Sequence, residues 1–111
     1  MALAAGRLRH RVALCRPVEV ETPSGYRADY EDAAVNVACE VTSLGGREAL
    51  LEKVQTGVSV FRIVLRWRAD LRTDWQVRLA DGRKLNIRSA EDESGHRESL
   101  VIIADSQATL P

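Results

Sequence analysis

The sequence predicts an all-β fold: six short strands forming a small barrel or sandwich, with one short helix inside a long inter-strand connection. Three observations carry this reading. Apolar and polar residues alternate at period two through most of the chain, the signature of half-buried strands. Breaks rich in Gly, Pro, Ser and Asp recur between the alternating runs, where turns belong. Helical spacing is confined to one stretch, Arg47 to Gln55, bracketed by Gly45-Gly46 and Gly57.

Arg9 to Arg16 opens the series, with His10, Val12 and Leu14 on one side and Arg11, Ala13 and Cys15 on the other. Glu21 to Asp29 contains Pro23, Ser24 and Gly25 and reads as a long exposed turn. Tyr30 to Val41 carries the clearest alternation: Val35, Val37, Cys39 and Val41 face one way, Asn36, Ala38 and Glu40 the other. Between Ser43 and Gly57, Leu50, Leu51 and Val54 fall at helical spacing. A helix of about nine residues is marginal in water, so it needs a surface to dock on. Val58 to Arg68 is again a strand, with Phe61, Ile63, Leu65 and Trp67 inward and Arg62, Arg66 and Arg68 outward. Trp75 to Ala80 leads into Asp81-Gly82, a dipeptide that favours a two-residue type I′ hairpin turn. Lys84 to Ala90 returns with Leu85 and Ile87 inward, and Asp92 to His96 is a polar loop. Ser99 to Asp105 closes the series. Leu100, Ile102 and Ala104 line one of its faces and Val101 and Ile103 the other, so this strand is expected to be covered on both sides.

With 111 residues and 45% hydrophobic side chains, the chain is read as one domain over 1–111 with its core at about 7–105. Sixteen basic residues balance sixteen acidic ones, which argues against a protein whose main task is coating nucleic acid. Only Lys53 and Lys84 are lysines; the other basic residues are arginine, suited to planar contacts with carboxylates. No stretch approaches the roughly 20 apolar residues of a membrane span, and Arg7, Arg9 and Arg11 interrupt the N-terminal segment too early for a secretory signal. A soluble chain made in the cytoplasm, with no membrane partner, is expected. Cys15 and Cys39 are too few for a disulfide scaffold and sit within strand patterns, where reduced, buried thiols are the expectation.

The motifs of catalysis are missing. There is no G-x-S-x-G elbow, no phosphate-cradling glycine loop, no H-E-x-x-H and no C-x-x-C. His10 and His96 with the two cysteines match no zinc-site spacing. The acidic runs Glu31-Asp32 and Glu91-Asp92-Glu93 read as a solvated rim rather than a tuned acid–base pair. Five aromatics offer no interleaved basic and aromatic surface. We therefore expect no enzyme, no cofactor and no metal.

The order of blocks resembles the phage head–tail joining family, the head-closure or stopper proteins of the head–tail connector. Gly6-Arg7-Leu8-Arg9-His10-Arg11-Val12, running to Pro17, is similar to that family's opening "G-x-L-[RD]-x-R-[IV]" strand. Tyr30-Glu31-Asp32 and the strand running into Leu44-Gly45-Gly46-Arg47-Glu48 resemble its aromatic, acidic pair and "A-x-V-x-A-x-V-x-P-L-x-G-[RK]-E", with Ser43 where Pro is usual. Phe61 to Arg68 resembles "H-R-I-x-[IM]-R-[YW]-R", with Phe61 in place of His; Val77 to Arg83 and Arg97 to Ala104 complete the match.

The resemblance implies a structural virion protein of a tailed phage or phage-like particle. Such a protein forms a homo-oligomeric ring of about six or twelve copies by closed rotation. The ring lies between the portal or adaptor ring and the tail terminator or tail tube, closes the head after packaging and passes double-stranded DNA through its lumen. The long connection at 42–57 (Gly45, Gly46, Arg47, Glu48, Leu50, Leu51, Lys53 and Val54) becomes the candidate channel-facing or docking loop. Arg62, Arg66 and Arg68, set against Glu31 and Asp32, become candidate subunit-interface charges. A ring needs complementary side surfaces, yet the same charges also read as an ordinary solvated face. The rivals are a small β-barrel nucleic-acid-binding module and another neck component, an adaptor or tail terminator.

Overall fold

The computed structural model describes residues 6, 8–44, 59–93 and 95–106. Six strands follow in order: β1 (His10–Thr22), β2 (Gly25–Leu44), β3 (Val60–Arg66), β4 (Gln76–Arg78), β5 (Lys84–Asp92) and β6 (Ser99–Asp105). All pairings are antiparallel, and the spatial order β1-β2-β3-β6-β5-β4 closes on itself, because β4 pairs with β1. Of the small barrel or sandwich expected from period-two alternation, the closed barrel is what forms. Among the described residues closure pairs each strand of the barrel on both sides over part of its length, which removes much of the usual template for unwanted pairing.

The barrel interior is the apolar face of every strand. Leu14, Ile63, Leu65, Val77, Leu85 and Ile102 are fully buried there, with Trp75 and Leu79 at its margin. β6 matches its expected bounds, and its second face is half-covered at Val101 and Ile103. A smaller cluster lies outside the barrel wall, where Leu8 covers Val64 beside Ala38 and Val101. This is why β3 is buried on both faces although its sequence alternates.

Three expectations are corrected. Glu21 to Asp29 is not a long turn: β1 runs on to Thr22, Pro23-Ser24 makes a tight reversal, and β2 starts at Gly25. Proline fixes φ for the turn and Gly25 takes φ +119°, a conformation L side chains rarely adopt. The second correction is Val35, grouped on one face with Val37, Cys39 and Val41 but 62% exposed where Cys39 is fully buried. Val12 pairs with Val37 and Leu14 with Ala34, so β2 carries an extra residue; Asn36, at φ 56°, sits within that bulge. An inserted residue reverses the side on which its neighbours point, and Asn is among the few residues that tolerate left-handed backbone. The third is the β4–β5 turn. The Leu79 N–H donates to Arg83 O at 2.8 Å and the Gly82 N–H to Leu79 O at 2.9 Å, enclosing Ala80-Asp81-Gly82 as a three-residue loop. Only Gly82 has positive φ there, whereas a type I′ turn needs two such residues.

Candidate assembly surfaces

A structural chain acts through its surfaces, and β1 and β2 build two of them at opposite poles. Beyond Cys15 and Asp32 the two strands leave the barrel as a ribbon with no third strand beside it among the described residues, ending at the Pro23-Ser24 turn. From Arg16 to Thr22 this arm spans about 20 Å at normal strand rise. Its edges are guarded: Pro17 cannot donate, and Glu19, Glu21, Arg27 and Asp29 place charge along them.

The root of the arm is clamped by ion pairs. Arg16 Nε lies 2.6 Å from Glu31 Oε1. Arg78 donates from both terminal nitrogens to the Asp32 carboxylate at 2.8 and 3.0 Å, joining β4 to β2 across β1. That guanidinium holds the Asp32 carboxyl below the usual carboxylate range. Cys15 Sγ donates to the same carboxylate at 3.5 Å; burial, then Asp32, pushes its thiol up. Burial raises the Cys39 thiol to about 11. Both cysteines are free, buried thiols.

Arg62 lies 3.4 Å from Glu93, and Arg68 grips Asp70 at 3.0 and 3.1 Å, holding its carboxyl below the ordinary range. Arg66 is exposed beside a hollow that it lines with Val35 and Trp67. Of the expected interface charges, Arg62, Arg68, Glu31 and Asp32 therefore meet partners in their own chain rather than each other. Exposed pairs of this kind contribute roughly 0–1 kcal/mol and exchange partners at small cost. Arg88 differs: it donates at 2.8 and 2.9 Å to Asp105, whose side chain is only 6% exposed, and so seals the β5 bulge against β6.

At the other pole the ends of β1 to β4 enclose an open groove of about 460 Å³. Val12, Val41, Phe61 and Leu79 form its apolar floor, and Arg9, Arg11 and Arg83 its rim. The Arg83 guanidinium lies 5.2 Å from the centre of the Phe61 ring. Sequence reading missed this groove, because its residues come from four separate segments. The candidate loop residues Gly45, Gly46, Arg47, Glu48, Leu50, Leu51, Lys53 and Val54, and the helix expected over Arg47 to Gln55, lie outside the described residues. Among the described residues, no group of His, Cys, Asp and Glu is arranged to hold a metal ion, and no helix is long and apolar enough to cross a membrane.

The family model of the phage head completion protein matches residues 3–107. The chain belongs to the phage head completion protein family. As a head completion protein it is a structural component of the virion neck, where it closes the head, and this decides against the nucleic-acid-binding barrel. Two solved structures share the fold. A protein of Shigella flexneri 2a, known from a solution structure, is 23% identical with a TM-score of 0.71, the match covering 92% of this chain and 95% of that one. A chain from the virion of a native gene transfer agent particle is 22% identical with a TM-score of 0.68, covering 92% and 96%. Among curated protein sequences none matches this chain.

Proposed function

We propose that this head completion protein assembles as a ring of identical barrels in the neck, between the portal or adaptor ring and the tail. Packaged double-stranded DNA passes through its lumen, and the chain acts by shape and contact without a catalytic step. The observation that carries this reading is the pairing of a closed barrel with two distinct poles, an arm and a groove. Unlike surfaces on one chain are what a heterologous, ring-closing contact requires. The gene transfer agent relative is itself part of a virion, which supports the same setting.

Within that ring, the connection between β2 and β3 is the segment assigned to the channel. Connections of this length in compact domains are usually functional, and Gly45-Gly46 and Gly57 supply permissive backbone at its ends. Replacing Gly46 to Thr56 with a short Gly-Ser linker tests the assignment by counting DNA-filled heads. Loss of DNA from assembled, tailed particles is the expected result. Wild-type retention of DNA by such particles refutes gating, and a folded variant that no longer joins the particle makes the segment a docking element instead.

A further inference from the structure

We propose that the tip of the β1–β2 arm of one copy docks into the basic-rimmed groove at the opposite pole of a second copy. The ring reading supplies the biological setting, but the contact itself is argued from the two poles. On one face of the arm, Glu21 pairs directly with Tyr26 and Glu19 with Ala28. Tyr26 is 72% exposed, one of two large hydrophobic residues left in solvent among the described residues. Glu19 and Glu21 form no ion pair among the described residues, whereas the arm's Arg16 and Arg27 are already engaged by Glu31 and Asp29. The tip therefore presents an aromatic knob beside two unneutralised carboxylates.

The groove is its complement. Its floor is apolar; among the described residues its rim carries Arg9, Arg11 and Arg83, and Asp81, paired with Arg83 at 2.9 Å, is the single acidic residue lining it. A volume of about 460 Å³ lies within the range of clefts that seat a small ligand, and it has room for one tyrosine side chain with a neighbour. Tyr and Arg are the residues that most often dominate an interface, and opposite charges around the knob fix its orientation. An arm does not reach its own groove: β1 starts at the groove with His10 and ends at the arm tip with Thr22. Those thirteen residues put about 40 Å between the poles at normal strand rise. The occupant is thus another copy. Because knob and hole are different surfaces, the contact is head-to-tail and closes into a ring when the rotation between copies permits.

Site-directed disulfide capture in the full-length chain tests this. Ser24→Cys is placed on the arm tip of one preparation and Ala80→Cys on the groove of another; both positions are exposed, while Cys15 and Cys39 are buried. Mixing them is expected to yield the 24–80 heterodimer well above either homodimer. Glu19→Arg with Glu21→Arg on the arm is expected to lower that yield about tenfold, the scale of one modest electrostatic contact. Arg9→Glu with Arg11→Glu on the receiving chain should restore it. A statistical mixture of dimers, indifferent to these charges, overturns the proposal. So does protection of the Ala80→Cys thiol by duplex DNA but not by a chain bearing the native arm, which would assign the rim to phosphates. In assembled particles carrying both cysteines in one chain, a cross-linked ladder supports the contact. A neck ring without the ladder overturns the contact and leaves the ring reading intact; solution capture with no ring in the neck does the reverse.

Discussion

The same two strands are barrel wall in one half of their length and free ribbon in the other. Between His10 and Cys15, β1 pairs with β2 and, from Ala13 on, with β4, and Val12, Ala13, Leu14 and Cys15 are all buried. Between Arg16 and Thr22 it has β2 alone, and no residue is buried. Both halves are strand; what differs between them is coverage. A two-stranded ribbon is marginal by itself. This one is clamped at its root by Arg16–Glu31 and Arg78–Asp32, just beyond the register shifts on either side of Leu14. Stability thus belongs to the barrel, and the arm is available for contact.

Substitutions separate the two regions. Ile63→Ala, at a fully buried wall position, is expected to cost about 2–4 kcal/mol in denaturant unfolding, whereas Tyr26→Ala on the arm should stay within about 0.5 kcal/mol. A large loss from Tyr26→Ala would mean that the arm is part of the folding core. Asp105→Ala, which strands Arg88 beside a buried site, is expected to cost about 1–3 kcal/mol, read from the same unfolding curves. At the bulge, Asn36→Val should cost about 1–2 kcal/mol and Asn36→Gly close to nothing, since a β-branched residue is strained at φ 56°.

The pH dependence is smaller and has two arms. Asp32, Asp70 and Asp81 have folded pKa values below their unfolded ones, held there by Arg78, by Arg68 and by the Arg83 backbone N–H respectively. Their contribution is complete above a pH of about 4 and is lost as pH falls through the lowered values. Asp32→Asn should flatten that acid limb. Cys39 is shifted the other way, from 9.0 to about 11, so its contribution is complete below pH 9 and is lost between 9 and 11. Denaturant midpoints measured from pH 2 to 11 check both. At neutral pH neither cysteine should react with a thiol reagent in the folded chain, and chelators should leave the unfolding curve unchanged.

Legibility in the sequence followed the same boundary between wall and arm. β6 was readable to the residue, because a strand between two neighbours alternates or is apolar throughout. The arm was not, because Pro17, Glu19, Glu21, Pro23 and Gly25 have the composition of a loop and burial gives them no pattern. Its signal was slight: Val18 and Val20 before a Pro-Ser-Gly turn. Val35 was misplaced because a single bulge residue, Asn36, reverses the parity on which face assignment rests. The groove was invisible to any local reading, since Arg9, Val41, Phe61 and Arg83 meet only when the barrel closes. Family resemblance, spread over five ordered blocks, survived all of these local errors.

Electron microscopy of the particle neck tests the central claim most directly. A closed ring of these barrels between the portal side and the tail, each arm ordered against the next copy, is the expected result. Particles with filled heads and attached tails whose necks contain no density for this barrel would contradict it.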